Sequence, residues 1–318
     1  MLLAFSKIAP LLRKPGQPDV HVELTWDDDK LVGANSGGVE FPVQHNQPVL
    51  INFNESVLSA DWFSKDMKTY SPIGARKNSP RQLKGILFGT NAVSAKNFKA
   101  FRDLLIAGHQ SASERPLLLM IGAATPGIGT DTLYSDTTID QIAFDIYPSP
   151  LTHFVADGHG IPLPDKSVDG VCIQAVLEHV LTPEKVVSEI TRILKDDGYV
   201  YAETPFMQQI HEGAYDFTRF TELGHRWLWR DFTALHRGPM GGPGLSLYWS
   251  AKYFFRGITN SKTLGNILSL PFAIFPLCDR FIRSGHAIDG ANGVFFLGRK
   301  SSRPTATSEI ISQYLGAQ

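Results

Sequence analysis

Residues 142–206 read IAFDIYPSPLTHFVADGHGIPLPDKSVDGVCIQAVLEHVLTPEKVVSEITRILKDDGYVYAETPF. Three short apolar runs, IAFDI (142–146), HFVADG (153–158) and VDGVCIQAV (168–176), have the length and continuity of strands buried on both faces. PEKVVSEITRILK (183–195) carries helical spacing instead. Thr182 is placed to cap that helix, Pro183 suits its first position, Glu184 favours its positive end, and Gly198 follows it. YVYAETP (199–205) is the next strand, and PLLLMIG (116–122) is an earlier one. Strands alternating with helices predict a parallel α/β sheet with right-handed crossovers. GVFFLGRK (293–300) reads as a closing strand.

Working outward, residues 18–54 offer short β segments, VHVELTW, KLVGA, VEFPVQ and PVLINF, with a turn at Gly37-Gly38. Residues 55–114 read as helical, most clearly from Ala92 to Ala107, where Val93, Phe98, Phe101, Leu104 and Leu105 lie on or near one face. The chain is therefore expected to divide into a small β-rich segment (1–54), a helical connection (55–114), the α/β domain (115–300) and a flexible tail (301–318). GPMGGPGLS (238–246) reads as a mobile loop that could border a binding pocket. NILSLPFAIFPLCDRFI (266–282) leaves three uses open: core helix, homodimer surface or peripheral membrane contact.

Composition narrows the class. Of 318 residues, 43% are hydrophobic and 19% charged, which suits a globular protein with a full core. A formal net charge of −1 gives no long-range attraction to nucleic acid, and no nucleic-acid partner is expected. Two cysteines, Cys172 and Cys278, build neither a disulfide framework nor a structural zinc site, and a reducing, cytoplasmic setting is the simpler expectation. The apolar start MLLAFSKIAPLLRKP has its basic residues after the apolar stretch, unlike a secretory leader, and no transmembrane segment is expected.

The chemistry gathers at strand ends. GAATPGIGTD (122–131) follows the PLLLMI strand, and Gly122, Gly127 and Gly129 stand where the chain turns sharply. Asp145 ends the next strand, where a carboxylate can accept from both hydroxyls of a ribose; a turn cap is the alternative. Asp157, or backbone beside it, can reach an adenine amino group; an Asx-turn at Asp157-Gly158 is the alternative.

These residues resemble the core of the class I methyltransferases, in the subgroup called type 11. Asp145, Asp157, Ile161-Pro162-Leu163-Pro164, Val168-Asp169 and the run from Arg192 to Gly198 fill that family's pattern in order over residues 115–206. The resemblance implies a Rossmann-like seven-stranded sheet with helices on both faces and S-adenosylmethionine as cofactor. It implies a cofactor site of Gly122, Ala123, Gly127, Gly129, Asp145, Ile146, Asp157, Gly158 and Gln174. The glycine loop departs from the family's compact Gly-x-Gly-x-Gly, being longer and interrupted by Pro126. A second resemblance joins KLVGANSGGVEFPVQHNQPVLINF (30–53) to half of a small zinc-ribbon-like domain; where that domain has cysteine pairs this chain has Gly33 to Gly37, so zinc is not expected.

The acceptor side is expected in ETPFMQQIHEGAYDFTRFT (203–221), an aromatic-rich loop after a strand. His211 is the candidate base, because imidazole titrates near neutral pH; a structural histidine is the alternative. Phe206, Tyr215, Asp216, Arg219 and His179 are the expected acceptor-binding residues, with Asp216 and Arg219 paired to each other. Glu178-His179 has the chemistry of metal ligands, but no third ligand stands at a convincing spacing along the chain, and no metal is expected. The expected function is methyl transfer from S-adenosylmethionine to a small or medium molecule through oxygen or nitrogen. A non-catalytic binding or scaffold subunit, and a nicotinamide-dependent oxidoreductase, are the rivals.

Overall fold

The computed structural model describes residues 2–61, 90–109 and 114–318. Much of the expected helical connection, 62–89 and 110–113, lies outside the described residues. Strands β1 (Arg13–Lys14) to β7 (Gln47–Leu50) occupy the first part: β2 (Gln17–His21), β3 (Glu23–Asp27), β4 (Lys30–Ser36), β5 (Val39–Phe41) and β6 (Val43–Gln44) lie between. Helix α1 (Phe5–Ile8) precedes them and α2 (Thr90–Gly108) follows. Then come β8 (Leu117–Ile121), α3 (Asp131–Tyr134), β9 (Asp140–Asp145), β10 (Phe154–Ala156), β11 (Val168–Gln174), α4 (Pro183–Ile193) and β12 (Leu194–Pro205). Helix α5 (Glu222–Leu228), β13 (Phe232–Pro239), α6 (Pro243–Thr259), α7 (Lys262–Leu268), α8 (Phe275–Cys278), α9 (Ser284–Asp289), β14 (Gly293–Lys300) and α10 (Thr307–Ile310) complete the chain.

The main sheet runs β13-β14-β12-β11-β8-β9-β10-β7-β6. The seven strands from β13 to β10 are the expected Rossmann-like sheet. Strands β9, β8, β11 and β12 pair in parallel, and β14 runs antiparallel between β12 and β13. Strand β8 shows why the apolar runs form central strands. Leu119 and Ile121 enter one buried cluster with Val186, Val187 and Ile190 of α4. Leu118 and Met120 enter the cluster on the other face, with Phe98, Phe101 and Leu105 of α2. Alternate side chains thus bury on opposite faces, and each face needs apolar residues because each is covered by a helix.

Several expectations are corrected by packing. The β-rich first part also joins the main sheet: β7 pairs in parallel with β10 and, with β6, extends that sheet to nine strands. Ile8, Leu12 and Val22 belong to the main core cluster, so this part closes the sheet's edge. Thr182 makes no side-chain cap on α4; its carbonyl accepts from the N–H of Lys185 and its own N–H donates to His159. The stretch 238–246 is not a mobile loop. It completes β13 and starts α6, where the Asp279 carboxylate accepts from the N–H groups of Gly242, Gly244 and Leu245. The 266–282 stretch is not a core helix: Ile267, Leu270, Ile274 and Phe281 are 54%, 60%, 60% and 76% exposed. The expected flexible tail is held down, with Arg226 donating to Thr305 and Gln313, Arg237 to the Gln313 carbonyl, and Tyr314 to Asp289. Among the described residues, no helix is long and apolar enough to cross a membrane.

Candidate functional site

Strand order reverses between β8 and β11, and two cavities open at the carboxyl ends of the strands there. Such a switch point leaves a crevice, because successive connections depart to opposite sides. The smaller cavity, about 310 Å³, is lined by Gly122, Asp145, Ile146, Asp157, Gly158, His179 and Tyr215, among others. The larger, about 470 Å³, is lined by Gly122, Ala123, Gly127, Gln174, Glu178, Glu203 and His211, among others. Ile121, Gly122, Thr125 and Ala175 line both, so the two spaces meet at the tips of β8 and β11.

Gly122 is the pivot. Its φ of +77° favours glycine, and a Cβ there would stand 2.2 Å from Val176 Cγ2. The N–H groups of Gly122 and Ala123 both donate to the Phe144 carbonyl, and that of Ala124 donates to Asp145 Oδ2 at 2.8 Å. Asp145 Oδ1 accepts from the Tyr147 N–H at 3.2 Å. Burial nevertheless pushes the Asp145 carboxyl up to about 6, against the lowering effect of these N–H groups.

Asp157 is differently placed. Its Oδ1 accepts from the His159 N–H and faces His159 Nδ1 at 2.6 Å, while Oδ2 accepts from Ser56. Its carboxylate therefore caps the short turn Gly158–Gly160, and the backbone beside it is what the cavity meets. Val57 and Leu58 close the same cavity from the N-terminal part.

The floor of the larger cavity holds Glu178, in a short helical turn (Leu177–His179) directly after β11. Its side chain is fully buried, and neither carboxylate oxygen has a hydrogen-bond partner from another described residue. Burial pushes its carboxyl up to about 8. Its backbone carbonyl accepts from Phe217 and Thr218, which pins the loop after β12 over the site. That loop delivers His211, whose Nε2 lies 3.8 Å from Glu178 Oε1; His179 Nε2 lies 3.6 Å from the same oxygen. Glu178, His179 and His211 thus bring three ligand-capable atoms within 4.8 Å of one another. The third ligand-capable side chain, which spacing along the chain did not show, comes from 32 residues downstream of His179, because two loops fold onto each other.

The remaining expected residues divide. Asp216 and Arg219 pair, as expected, and the pairing holds the Asp216 carboxyl well below the usual carboxylate range. Neither lines either of these two cavities, nor does Phe206 or Gly129. A Cβ on Gly129 would stand 3.0 Å from Ser94 Cβ and the Ala95 backbone of α2, so that glycine admits a helix rather than a ligand. Gln174 does reach the larger cavity, donating to the Ile128 carbonyl and to Glu203 Oε2. Sequence reading missed Glu203, Ser94, Met240, Trp249 and Asn292 on the larger cavity's wall. Only Glu203, an acid at the end of a predicted strand, carried a signal of the kind that marked Asp145.

Residues 129–202 match the family described as "Methyltransferase domain". Among solved structures, the chain is similar to a SAM-dependent methyltransferase from Archaeoglobus fulgidus, at 13% identity and TM-score 0.43, covering 70% of this chain and 100% of that one. It is also similar to a putative sarcosine dimethylglycine methyltransferase from Galdieria sulphuraria, at 19% identity and TM-score 0.40, covering 67% and 85%. A search of curated protein sequences finds no match.

Proposed function

We propose that this chain, which carries a class I methyltransferase domain with S-adenosylmethionine as its cofactor, transfers a methyl group to a small acceptor through oxygen or nitrogen. The observation that carries this is the meeting of two cavities at Gly122, one lined by Asp145, Ile146 and Asp157 and the other by Gln174, Glu178 and Glu203. The residues fit the cofactor. Asp145 stands at the tip of β9 with a carboxylate that its N–H partners leave only partly compensated, so two ribose hydroxyls are suitable further donors. Gly122, with no Cβ, admits the Val176 side chain against the turn where the two spaces join.

When bound, the cofactor supplies an electrophilic methyl on a sulfonium, which an acceptor lone pair attacks as the carbon–sulfur bond breaks onto sulfur. The chain's contribution is alignment across the junction and exclusion of water. The larger cavity is rich in acceptors lacking a partner among the described residues: Gln174 Oε1, both oxygens of Glu178, and Asn292 Oδ1. Such a wall suits a ligand bearing O–H or N–H donors, since an unpaired buried acceptor costs about 1–3 kcal/mol. His211 and Glu178 face this space and are the groups placed to take or hold the acceptor's proton.

Calorimetric titration with S-adenosylmethionine, its demethylated product and NAD tests this. One-to-one binding of the first two and none of NAD is expected. Folded protein that binds neither sulfur compound rejects the proposal, and binding without product on a panel of hydroxylated and amine acceptors favours a scaffold subunit instead.

A further inference from the structure

We infer that Glu178, His179 and His211 form a divalent-cation site where the two cavities adjoin, with Glu178 and His211 on the larger and His179 on the smaller; the role given to the ion rests on the methyl-transfer proposal, but its binding does not. Three observations converge on it. The first is the cluster: one carboxylate oxygen and two imidazole nitrogens within 4.8 Å of one another, from two separate loops. Around a tetrahedral ion with bonds of about 2.0–2.1 Å, ligand atoms stand roughly 3.3 Å apart. The 3.6 and 3.8 Å gaps from Glu178 Oε1 to the two imidazoles need to close by a few tenths of an ångström, and the two imidazole nitrogens, within 4.8 Å of each other, close further by rotation of the His211 side chain.

The second is orientation. His179 Nδ1 donates to the Tyr215 carbonyl at 2.7 Å, which leaves the lone pair on Nε2 facing Glu178. His211 Nδ1 faces Asp216 Oδ2 at 3.2 Å, which likewise turns Nε2 inward. Arg219 holds both Asp216 oxygens, so this carboxylate is fixed in turn. A histidine ligand whose other nitrogen is held by a carbonyl or carboxylate is the arrangement that sets tautomer and ring angle at metal sites. It also gives the Asp216–Arg219 pair, which touches neither cavity, a purpose.

The third is the buried carboxylate. Glu178 is fully buried and both its oxygens lack a partner from any other described residue, although two imidazoles and an ion pair stand close by. A cation entering among its neighbours would engage these oxygens directly. Two imidazoles and one carboxylate favour zinc and its first-row neighbours over calcium or magnesium. Three protein ligands leave a coordination position open, and since Glu178 and His211 line the larger cavity, the acceptor's oxygen or nitrogen is the group placed to fill it.

The full chain, stripped with a chelator, would be titrated with Co²⁺ followed by visible absorption, then with Zn²⁺ in competition, with neither S-adenosylmethionine nor acceptor present. One equivalent of Co²⁺, displaced by Zn²⁺, is expected. Glu178→Gln and His211→Ala should each weaken binding by more than about 100-fold, and Asp216→Asn, which removes the charge and one accepting oxygen behind His211, by about tenfold. Circular dichroism and a cooperative thermal transition establish that each variant is folded. Folded, stripped wild type that takes up neither ion overturns the site, and so does stoichiometric uptake untouched by both ligand substitutions. A parallel S-adenosylmethionine titration of the stripped wild type separates failure of the metal site from failure of the methyl-transfer proposal.

Discussion

The smaller and larger cavities share Gly122 yet are built on different plans. The smaller draws its key groups from strand tips that follow one another along the chain, Gly122, Asp145 and Asp157-Gly158. The larger draws Ser94 from α2, Glu203 from β12, His211 from a loop, Trp249 from α6 and Asn292 from the turn before β14. The difference teaches that a parallel sheet brings its own strand ends together wherever the sequence is read, whereas an acceptor wall exists only after distant helices and loops have docked. The first is a property of the sheet; the second belongs to this one chain.

The sharpest way to break the comparison is at the shared point. Gly122→Val should destabilise the fold by roughly 2–5 kcal/mol, combining a disfavoured positive φ with overpacking against Val176. Thermal unfolding would show it, and both cofactor and acceptor binding should fall together. A variant that loses only one of them would show that the cavities do not share this residue.

A smaller effect should separate the cavities. Asp145→Ala is expected to weaken S-adenosylmethionine by at least about tenfold, because charge-assisted hydrogen bonds contribute roughly 1.5–3 kcal/mol. Trp249→Ala should instead raise the KM for acceptor and leave cofactor affinity within about threefold, as expected for a wall residue of the larger space alone. Equal effects of the two substitutions on cofactor affinity would merge the two cavities into one functional site.

Acidity offers a gentler test. The Asp145 carboxyl, raised by burial to about 6, must be ionised to accept from both ribose hydroxyls. Cofactor affinity should therefore hold above pH 6 and decline below it by up to about tenfold per pH unit. Unfolding must be tracked in the same range. His225 is fully buried, accepts from Trp229 Nε1, and is pushed down to about 3. It protonates in the unfolded chain near 6.5 but not in the folded one, so stability is full above 6.5 and is lost as pH falls, by about 1.4 kcal/mol per unit. An affinity that is flat from pH 5 to 7 in folded protein would remove Asp145 from the cofactor site.

The smallest expected effect distinguishes two acids that look alike in sequence. Asp157→Asn should change cofactor affinity by less than about threefold, since His159 and Ser56 already occupy its oxygens, and should act mainly on stability, by roughly 1–3 kcal/mol. A cofactor loss as large as that of Asp145→Ala would return Asp157 to direct contact.

What the amino-acid order determined by itself was the sheet and its cofactor edge. Apolar runs such as LLLMI bury on both faces, so they declare central strands, and a glycine turn or an aspartate at their ends marks the crevice without any knowledge of the rest. What only the tertiary structure decided was everything needing two distant segments at once. The joining of β7 to β10, the docking of the tail on Arg226 and Arg237, and the meeting of His211 with Glu178-His179 are of this kind. No local pattern encodes such contacts, because each half is an ordinary strand, tail or loop on its own. It is burial against the other half that gives an unpaired carboxylate or an imidazole its chemistry.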